Sequence, residues 1–436
     1  MSTTISAVDY RGSHLGDDPQ RESSAAHVGA VALASFAYAG QLKSNPLLTW
    51  IPIDLTITLA AVVAVITIAA RLRSGPARGT VAAVITLFGV LLLGLVNWSG
   101  EGYSLIKAQT LWTLTALAAL SPYYLLRSER QRRSFLVTLT AIGSAVALVT
   151  MVQPSYASEY STIQVFAGAN TIGTGRIIST AVVICAIAAT APHSRPRRRL
   201  GLAILCIVLV GVTFLSGSRG PVFALAAGVT TAILMSPVAG RARGRALGVI
   251  GFLGAIALYW ASRTSSDGFN RVLDFAAGQQ DNSSRARLTF WNASFDYAMK
   301  SPAGTGVGDF RELPGMWLHA APNGEIYPHN ILMEVFVEFG WLAGFALVLM
   351  LVATLRRARF LAATTTGAAL LGLLVFSLVN ASVSGDLNDN RILWIVLGAA
   401  WAIPKPRARA AFTGPSTGVR DVAHPRGGAP DATRSP

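Results

Sequence analysis

The sequence predicts an all-α, polytopic integral membrane protein with about twelve transmembrane helices and one long extracytoplasmic loop. Hydrophobic residues make up 52% of the 436-residue chain and charged residues only 13%, whereas a soluble domain carries roughly 25% charged residues. Apolar runs of about 17–25 residues recur along the chain, and a helix of that length crosses a bilayer. Helices are expected because lipid cannot hydrogen-bond to the backbone.

The length rule gives the element boundaries and the domain organisation. The predicted spans lie at 26–42, 50–70, 79–97, 108–126, 134–153, 169–191, 200–216, 220–236, 246–262, 329–354, 361–381 and 388–403. The first span is short, so a count of about eleven stays open. The predicted domains are a disordered cytosolic tail at 1–25, spans one to nine within 26–262, a cap at 263–328, spans ten to twelve within 329–403, and a disordered basic tail at 404–436.

Basic loops predict the orientation, because short cytosolic loops are rich in Lys and Arg. Every second loop is basic, as in RLRSGPAR at 71–78 and RSERQRR at 127–133. Both termini are therefore expected in the cytosol, and the cap is expected outside the cytoplasmic membrane. The net charge of +15 is spread over these loops, which argues against a nucleic-acid partner.

The cap at 263–328 is the long polar segment of an otherwise apolar chain. Long loops are uncommon unless they carry function, so we interpret it as the cover of a site. Within it, Leu288, Trp291, Phe295 and Met299 recur at helical spacing, which predicts a short amphipathic helix on the membrane interface.

Arg219 lies in the tight turn of LSGSRGPVFAL, on the side where short-loop arginines are depleted. Pro221 suits the first turn of a helix, whose N-terminus offers N–H groups and positive partial charge. Guanidinium binds phosphate oxygens in a bidentate manner, so we predict an anion site. The alternative is an arginine that reaches back to the interface.

Three more arginines are candidates. Arg285 and Arg287 open the amphipathic helix, with ordinary contact to lipid headgroups as the alternative. Arg176 lies ~10 Å inside an apolar run if the helix begins at its first residue, and an ionisable residue at that depth is a functional candidate. If the helix begins later, Arg176 is only a flanking residue.

His329 closes the polar segment, and Asn330 follows it as a plausible N-cap. Imidazole titrates near neutral pH and suits proton transfer or alignment of a hydroxyl; a structural histidine is the alternative. Glu334 and Glu338 lie one turn apart on the following helix. We expect them to pair with the arginines or to share a proton.

The remaining motifs predict no cofactor and no metal. GTGVGDF at 304–310 follows no strand, so it is interpreted as a turn rather than a dinucleotide fingerprint. Asp386 and Asp389 in GDLNDN predict a polar loop, with a metal site as the alternative. Cys185 and Cys206 lie in apolar runs, which implies no disulfide framework.

Three motifs in order, SGSRGPVFAL, RLTFWNASFDYAMKSPAGTGVGDF and PHNILMEVFVEFGWLAG, resemble the O-antigen ligase and polymerase superfamily of bacterial membrane glycosyltransferases. The resemblance implies transfer of a glycan from a polyprenyl-diphosphate carrier to an acceptor hydroxyl on the outer face of the cytoplasmic membrane, without a metal. It implies that Arg219 and Arg287 contact the diphosphate and that His329 serves the acceptor. Its implied partners are the lipid-linked donor, a glycan or cell-envelope acceptor, and membrane lipids.

The chemistry of the candidate residues agrees with that expectation. A leaving diphosphate develops negative charge, which guanidinium groups and a helix N-terminus stabilise, and displacement at the anomeric carbon inverts its configuration. Further substrate-binding candidates are Arg176, Arg285, Asn330 and Glu334.

Three alternatives stay open. A polymerase that joins lipid-linked repeat units differs from a ligase only in its acceptor. A transporter or flippase would need broken helices and polar groups near the bilayer midplane. A scaffold for other envelope enzymes would leave Arg219 and His329 without a role.

Overall fold

A computed structural model of the chain describes residues 24–43, 45–48, 50–74, 80–153, 155–156, 164–167, 170–191, 194–236, 282–319 and 326–403, together with isolated positions between 243 and 259. The predicted tails at 1–25 and 404–436 lie outside these ranges, apart from Ser24 and Ala25, which begin the first helix. Most of the predicted ninth span at 246–262 and much of the cap also lie outside them.

The described residues form helices almost throughout. The α-helices are α1 (Ser24–Leu42), α2 (Leu55–Ser74), α3 (Thr80–Leu91), α4 (Gly102–Thr110), α5 (Ala116–Leu120), α6 (Pro122–Leu125), α7 (Glu129–Val152), α8 (Thr171–Ala189), α9 (Pro196–Leu215), α10 (Arg219–Met235), α11 (Asn282–Lys300), α12 (Ile331–Phe339), α13 (Trp341–Leu361), α14 (Thr365–Ala381) and α15 (Arg391–Ala402). A π-helical turn, Leu111–Thr115, joins α4 to α5. Short 3-10 helices are Pro46–Leu48, Leu92–Leu95, Asp309–Glu312 and Met316–His319.

The strands are limited to one antiparallel pair, β1 (Ser155–Tyr156) and β2 (Gln164–Val165), in the described part of the chain. By length and composition, 5 helices within the described ranges are long and apolar enough to cross a membrane: α2, α7, α8, α9 and α13. The segment 81–95 and helices α10, α14 and α15 are shorter apolar helices. The helical membrane class is therefore confirmed, while the count of about twelve spans stays a prediction.

The predicted span at 329–354 is wrong in its bounds, because the chain bends at Gly340. Gly340 has φ 85°, and a Cβ atom there would lie 2.6 Å from the carbonyl oxygen of Pro302, so a larger residue does not fit. The bend separates α12 from α13. With nine residues, α12 is roughly 13 Å long and cannot cross a bilayer alone, so the candidate span is α13.

The cap has a small apolar core of its own against α12. Phe290 and Ala298 of α11 pack with Phe310, Met316 and Val337. The opposite side of α11 presents Leu288, Phe295 and Met299 to the outside, so the predicted amphipathic pattern is present. Through Val337, the C-terminal half of α12 therefore packs against the described part of the cap.

A turn at 302–309 joins the cap to the helical bundle. Thr305 N donates to the carbonyl of Val337 at 2.8 Å, and Val307 N donates to that of Gly94 at 2.9 Å. The buried carboxylate of Asp309 accepts from Ser99. Because this turn bonds to both neighbours, α12 is held between the cap and the segment that follows α3.

Candidate functional site

His329 occupies a left-handed turn immediately before α12. Its φ is 55°, and no other non-glycine residue in the described part of the chain has a positive φ. This conformation costs an L-residue roughly 1–2 kcal/mol, and such strain persists where the surroundings impose it. Asn330 caps α12 by accepting from the N–H groups of Leu332 and Met333 at 3.0 and 3.2 Å, so the N-cap predicted from the sequence is present.

Aromatic side chains hold the His329 ring. The ring centroid lies 4.1 Å from that of Tyr327 and 6.1 Å from that of Phe290 on α11. Trp291 donates its indole N–H to the carbonyl of Pro328 at 2.8 Å. Nδ1 of His329 is buried and has no hydrogen-bond partner, so one ring nitrogen is unused by the protein.

Two of the predicted arginines lie close enough to act on His329. This histidine lies outside every candidate span, and burial together with the positive charges of Arg287 and Arg176 lowers its pKa to about 3. The imidazole is therefore neutral at physiological pH. The fold thus brings together Arg176, Arg287 and His329, which are far apart in the sequence.

A cavity of about 290 Å³ adjoins this cluster, at the lower end of the usual range for small-molecule sites. Tyr327 lines it while its ring contacts His329. The other lining residues come from α1, from the start of α8, and from the loop between α14 and α15: Ala37, Gly40, Gln41, Asn170, Ile172, Gly173, Arg176, Ser384, Gly385, Asp389 and Arg391.

The two arginines of the cavity wall are incompletely satisfied. Arg176 is 5% exposed and donates through Nη2 to the carbonyl of Ser384 at 2.6 Å, but its Nε has no partner. Arg391 lies with its guanidinium 5.4 Å from the centroid of Phe36, and its buried Nε also lacks a partner. Unsatisfied buried donors are costly, and an anionic ligand in the cavity would satisfy them.

Arg219 begins α10 next to this cavity but does not line it. Its helix packs against α8 at Gly175, where a Cβ atom would lie 3.0 Å from Pro221. On the other side, a Cβ atom at Gly220 would lie 3.4 Å from Val383. The start of α10 therefore lies against Gly175 and Val383, which are the sequence neighbours of Arg176 and Ser384.

Among the residues that the structure describes, Glu334 and Glu338 bind neither an arginine nor each other but a lysine, so the expected pairing is wrong. Both contact Lys107 of α4, with Nζ to oxygen distances of 2.6 Å for Glu334 and 2.7 Å for Glu338. All three side chains are at most 1% exposed. The sequence pattern failed here because Lys107 resembles an ordinary loop lysine, and its partners lie more than 200 positions away.

The loop 385–390 is a polar loop, as predicted. The Asp386 carboxylate accepts from the N–H groups of Asn388 and Asp389 at 2.9 and 2.8 Å and from the hydroxyl of Tyr103 at 3.1 Å. Among the described residues, no group of three or more His, Cys, Asp or Glu side chains could hold a metal ion. The Asp386 carboxylate thus shapes the loop.

Arg285 lies half a turn before Arg287 on α11 and is exposed. The sequence patterns did not single out Arg391 or Tyr327. Arg391 is the first residue of its apolar helix, whereas Arg176 was a candidate because of its depth inside an apolar run, so that signal did not identify Arg391. Tyr327 adjoins His329 in the sequence but carries no pattern of its own.

The segment that contains most of these candidate residues is similar to a known family. Residues 203–348 match the family model described as O-antigen ligase. The match contains Arg219, Arg287 and His329, covers about a third of the chain, and leaves Arg176 and Arg391 outside it. It confirms the resemblance drawn from the three motifs and indicates an O-antigen-ligase-like or polymerase-like membrane glycosyltransferase. No curated protein gives a significant match to the chain.

Proposed function

We propose that this protein transfers a glycan from a polyprenyl-diphosphate carrier to an acceptor hydroxyl on the outer face of the cytoplasmic membrane, with inversion and without a metal. The main support is the arrangement of His329 beside Arg287 and Arg176, at a cavity whose wall also carries Arg391. This arrangement offers positive charge and a neutral imidazole at one place. Both are needed when a diphosphate leaves and a hydroxyl attacks.

On the donor side, arginines would bind the diphosphate. Arg219 and Arg287 are the residues implied by the resemblance of the three motifs, and the unused Nε donors of Arg176 and Arg391 would satisfy further phosphate oxygens. As the bond between the anomeric carbon and the phosphate oxygen breaks, the electron pair moves to the diphosphate. Positively charged groups in place beforehand stabilise that charge, usually the largest contribution to catalysis.

On the acceptor side, His329 would receive the proton of the attacking hydroxyl on a ring nitrogen. With a pKa of about 3, the imidazole alone is a weak base. A bound diphosphate would offset the charges of Arg287 and Arg176 and so raise the pKa of His329. Burial, the larger cause of the lowered pKa, would remain, so the bound donor would strengthen this base only in part. General-base catalysis is typically worth about 10²–10⁴-fold in rate.

Purified full-length protein in vesicles that contain a polyprenyl-diphosphate glycan tests this proposal. We expect a new glycosidic bond and release of the polyprenyl diphosphate in the presence of an acceptor glycan. His329→Ala, Arg287→Ala and Arg219→Ala should each lower the rate by about 10²-fold or more without loss of folded protein. Transfer that persists in all three variants would remove the case for this site.

The same assay separates the alternatives. Products that grow by many repeat units would indicate a polymerase, and a single addition to a different acceptor would indicate a ligase. Glycan that accumulates inside sealed vesicles with no new bond would instead favour a transporter or flippase.

A further inference from the structure

Lys107 binds two segments that carry residues of the site. Its Nζ contacts Glu334 and Glu338 on α12, and the helix begins two residues after His329. Its carbonyl oxygen accepts from the side-chain amide of Asn388 at 3.0 Å, within the loop whose Gly385 and Asp389 line the cavity. Lys107 therefore bonds both to α12 and to the loop at 385–390.

The two carboxylates extend this connection. Glu334 Oε1 also accepts from the backbone N–H of Leu387 at 3.1 Å, so α12 bonds directly to the loop at 385–390. Glu338 Oε2 also accepts from the N–H of Gly308 at 2.9 Å, which reaches the turn that joins the cap to the bundle. The cluster thus bonds α12 both to the loop at 385–390 and to the turn at 302–309.

Stability alone is a poor explanation for this cluster. Removing three charged side chains from water is costly, and well-packed apolar residues are often as stable at such a position or more so. A set of directed, charge-assisted bonds does define distances between segments more narrowly than apolar contacts do. The strained turn at His329 also requires a firmly held neighbour, and α12 is that neighbour.

We infer that Lys107 is a positioning residue, which holds His329 at a set distance from the cavity wall formed by Arg176 and Arg391. The inference rests on the proposed function, because it assigns Lys107 a role in the same reaction. Lys107 is buried and does not line the cavity. It acts by orienting Glu334 and Glu338, which place α12 against the loop.

Lys107→Met tests the inference, and Arg357→Met is its matched control. Arg357 is another buried cation (7% exposed), and it bonds to the C-terminal end of α15. We expect kcat per folded molecule of Lys107→Met to fall about 10–100-fold, the usual effect of a misplacement near 1 Å, with the donor KM within about threefold. Arg357→Met should lower Tm but keep kcat. Lys107→Arg, which keeps the cation, should recover part of the rate.

Hydrogen exchange adds a readout that does not need activity. Residues 326–330 and 385–390 should exchange faster in Lys107→Met than in wild type or in Arg357→Met. If Lys107→Met does not fold, the charge-neutral Asn388→Ala, which removes the bond to the Lys107 carbonyl, should show the same fall in kcat and the same faster exchange. Wild-type kcat in the folded variant, or unchanged exchange in both segments, would overturn the inference. Absence of transfer by wild type would instead refute the proposed function, and the exchange data would still decide on Lys107.

Discussion

An arginine lies at each end of α15, buried at the C-terminal end and half-buried at the N-terminal end, and the two arginines are bonded differently. At the C-terminal end, Arg357 from α13 donates to the carbonyls of Ala400 at 2.9 Å and Ile403 at 2.5 Å and stacks 5.2 Å from the Trp401 centroid. At the N-terminal end, Arg391 faces a cavity with its Nε unsatisfied.

The difference separates a structural arginine from a candidate binding arginine. The last carbonyls of a helix have no intrahelical donor, and Arg357 supplies one. Arg391 stands at the opposite end, where a helix offers N–H groups rather than carbonyls, so its own helix gives it nothing to bind. An anion in the cavity would supply the acceptor. Hydrogen-bond satisfaction therefore distinguishes the two roles.

The largest expected effect is that of Arg391→Ala. We expect the transfer rate to fall about 10²–10³-fold, as for loss of one preorganised donor at a developing negative charge. Inorganic pyrophosphate at 100 times its Kd should stabilise wild type by about 2.7 kcal/mol and Arg391→Ala by much less, measured as a shift in Tm. Arg391→Lys keeps the charge but loses the planar fork, so it should recover only part of the rate. A fully active Arg391→Ala would end the distinction between the two arginines.

Arg357→Met should show the opposite pattern. Its loss leaves the carbonyls at the end of α15 without a donor and costs roughly 1.5–3 kcal/mol, seen as a lower apparent Tm. The transfer rate per folded molecule should stay at the wild-type value. A lower rate with an unchanged Tm would show that Arg357 also serves the reaction.

Gly385→Ala sharpens the comparison by changing the cavity wall alone. Gly385 has φ 74°, which costs alanine about 1–2 kcal/mol. An added Cβ would also lie 2.8 Å from Nη2 of Arg176 and would push that guanidinium away from its place. We expect a transfer rate lowered roughly tenfold and a modest fall in Tm. Gly89→Ala offers a control, because a Cβ atom there would meet nothing within 4 Å.

The last expected effect concerns the dependence of stability on pH. The pKa of His329 is lowered to about 3 in the folded protein from about 6.5 when unfolded. The unfolded state therefore binds more protons between these values, so this contribution to stability is present above pH 6.5 and is lost progressively as the pH falls. At pH 5 the loss should be about 2 kcal/mol. Comparison of Tm between wild type and His329→Gln over pH 5–8 measures it, and parallel curves would contradict it.

Several site residues could be predicted because their signals are local. His329 and Arg287 lie in or at the end of the polar segment, and Arg176 is an ionisable residue near the start of an apolar helix. Arg391 begins its helix rather than lying inside an apolar run, and its polar neighbours in GDLNDNRILW made it resemble the flank of a loop. Glu334 and Glu338 were identified as unusual but assigned the wrong partner, because many cations could have reached them.

The sequence by itself determined the helical membrane class, the positions of most helices and the cap at Asn330, because hydrophobic length, periodicity and capping act over a few neighbouring residues. Tertiary structure alone decided which charges meet. Arg176 bonds to Ser384 across 208 positions and Lys107 to Glu338 across 231, and no local pattern specifies such a pair. It also decided which guanidinium is satisfied, since Arg357 and Arg391 differ only in what the packed helices place around them.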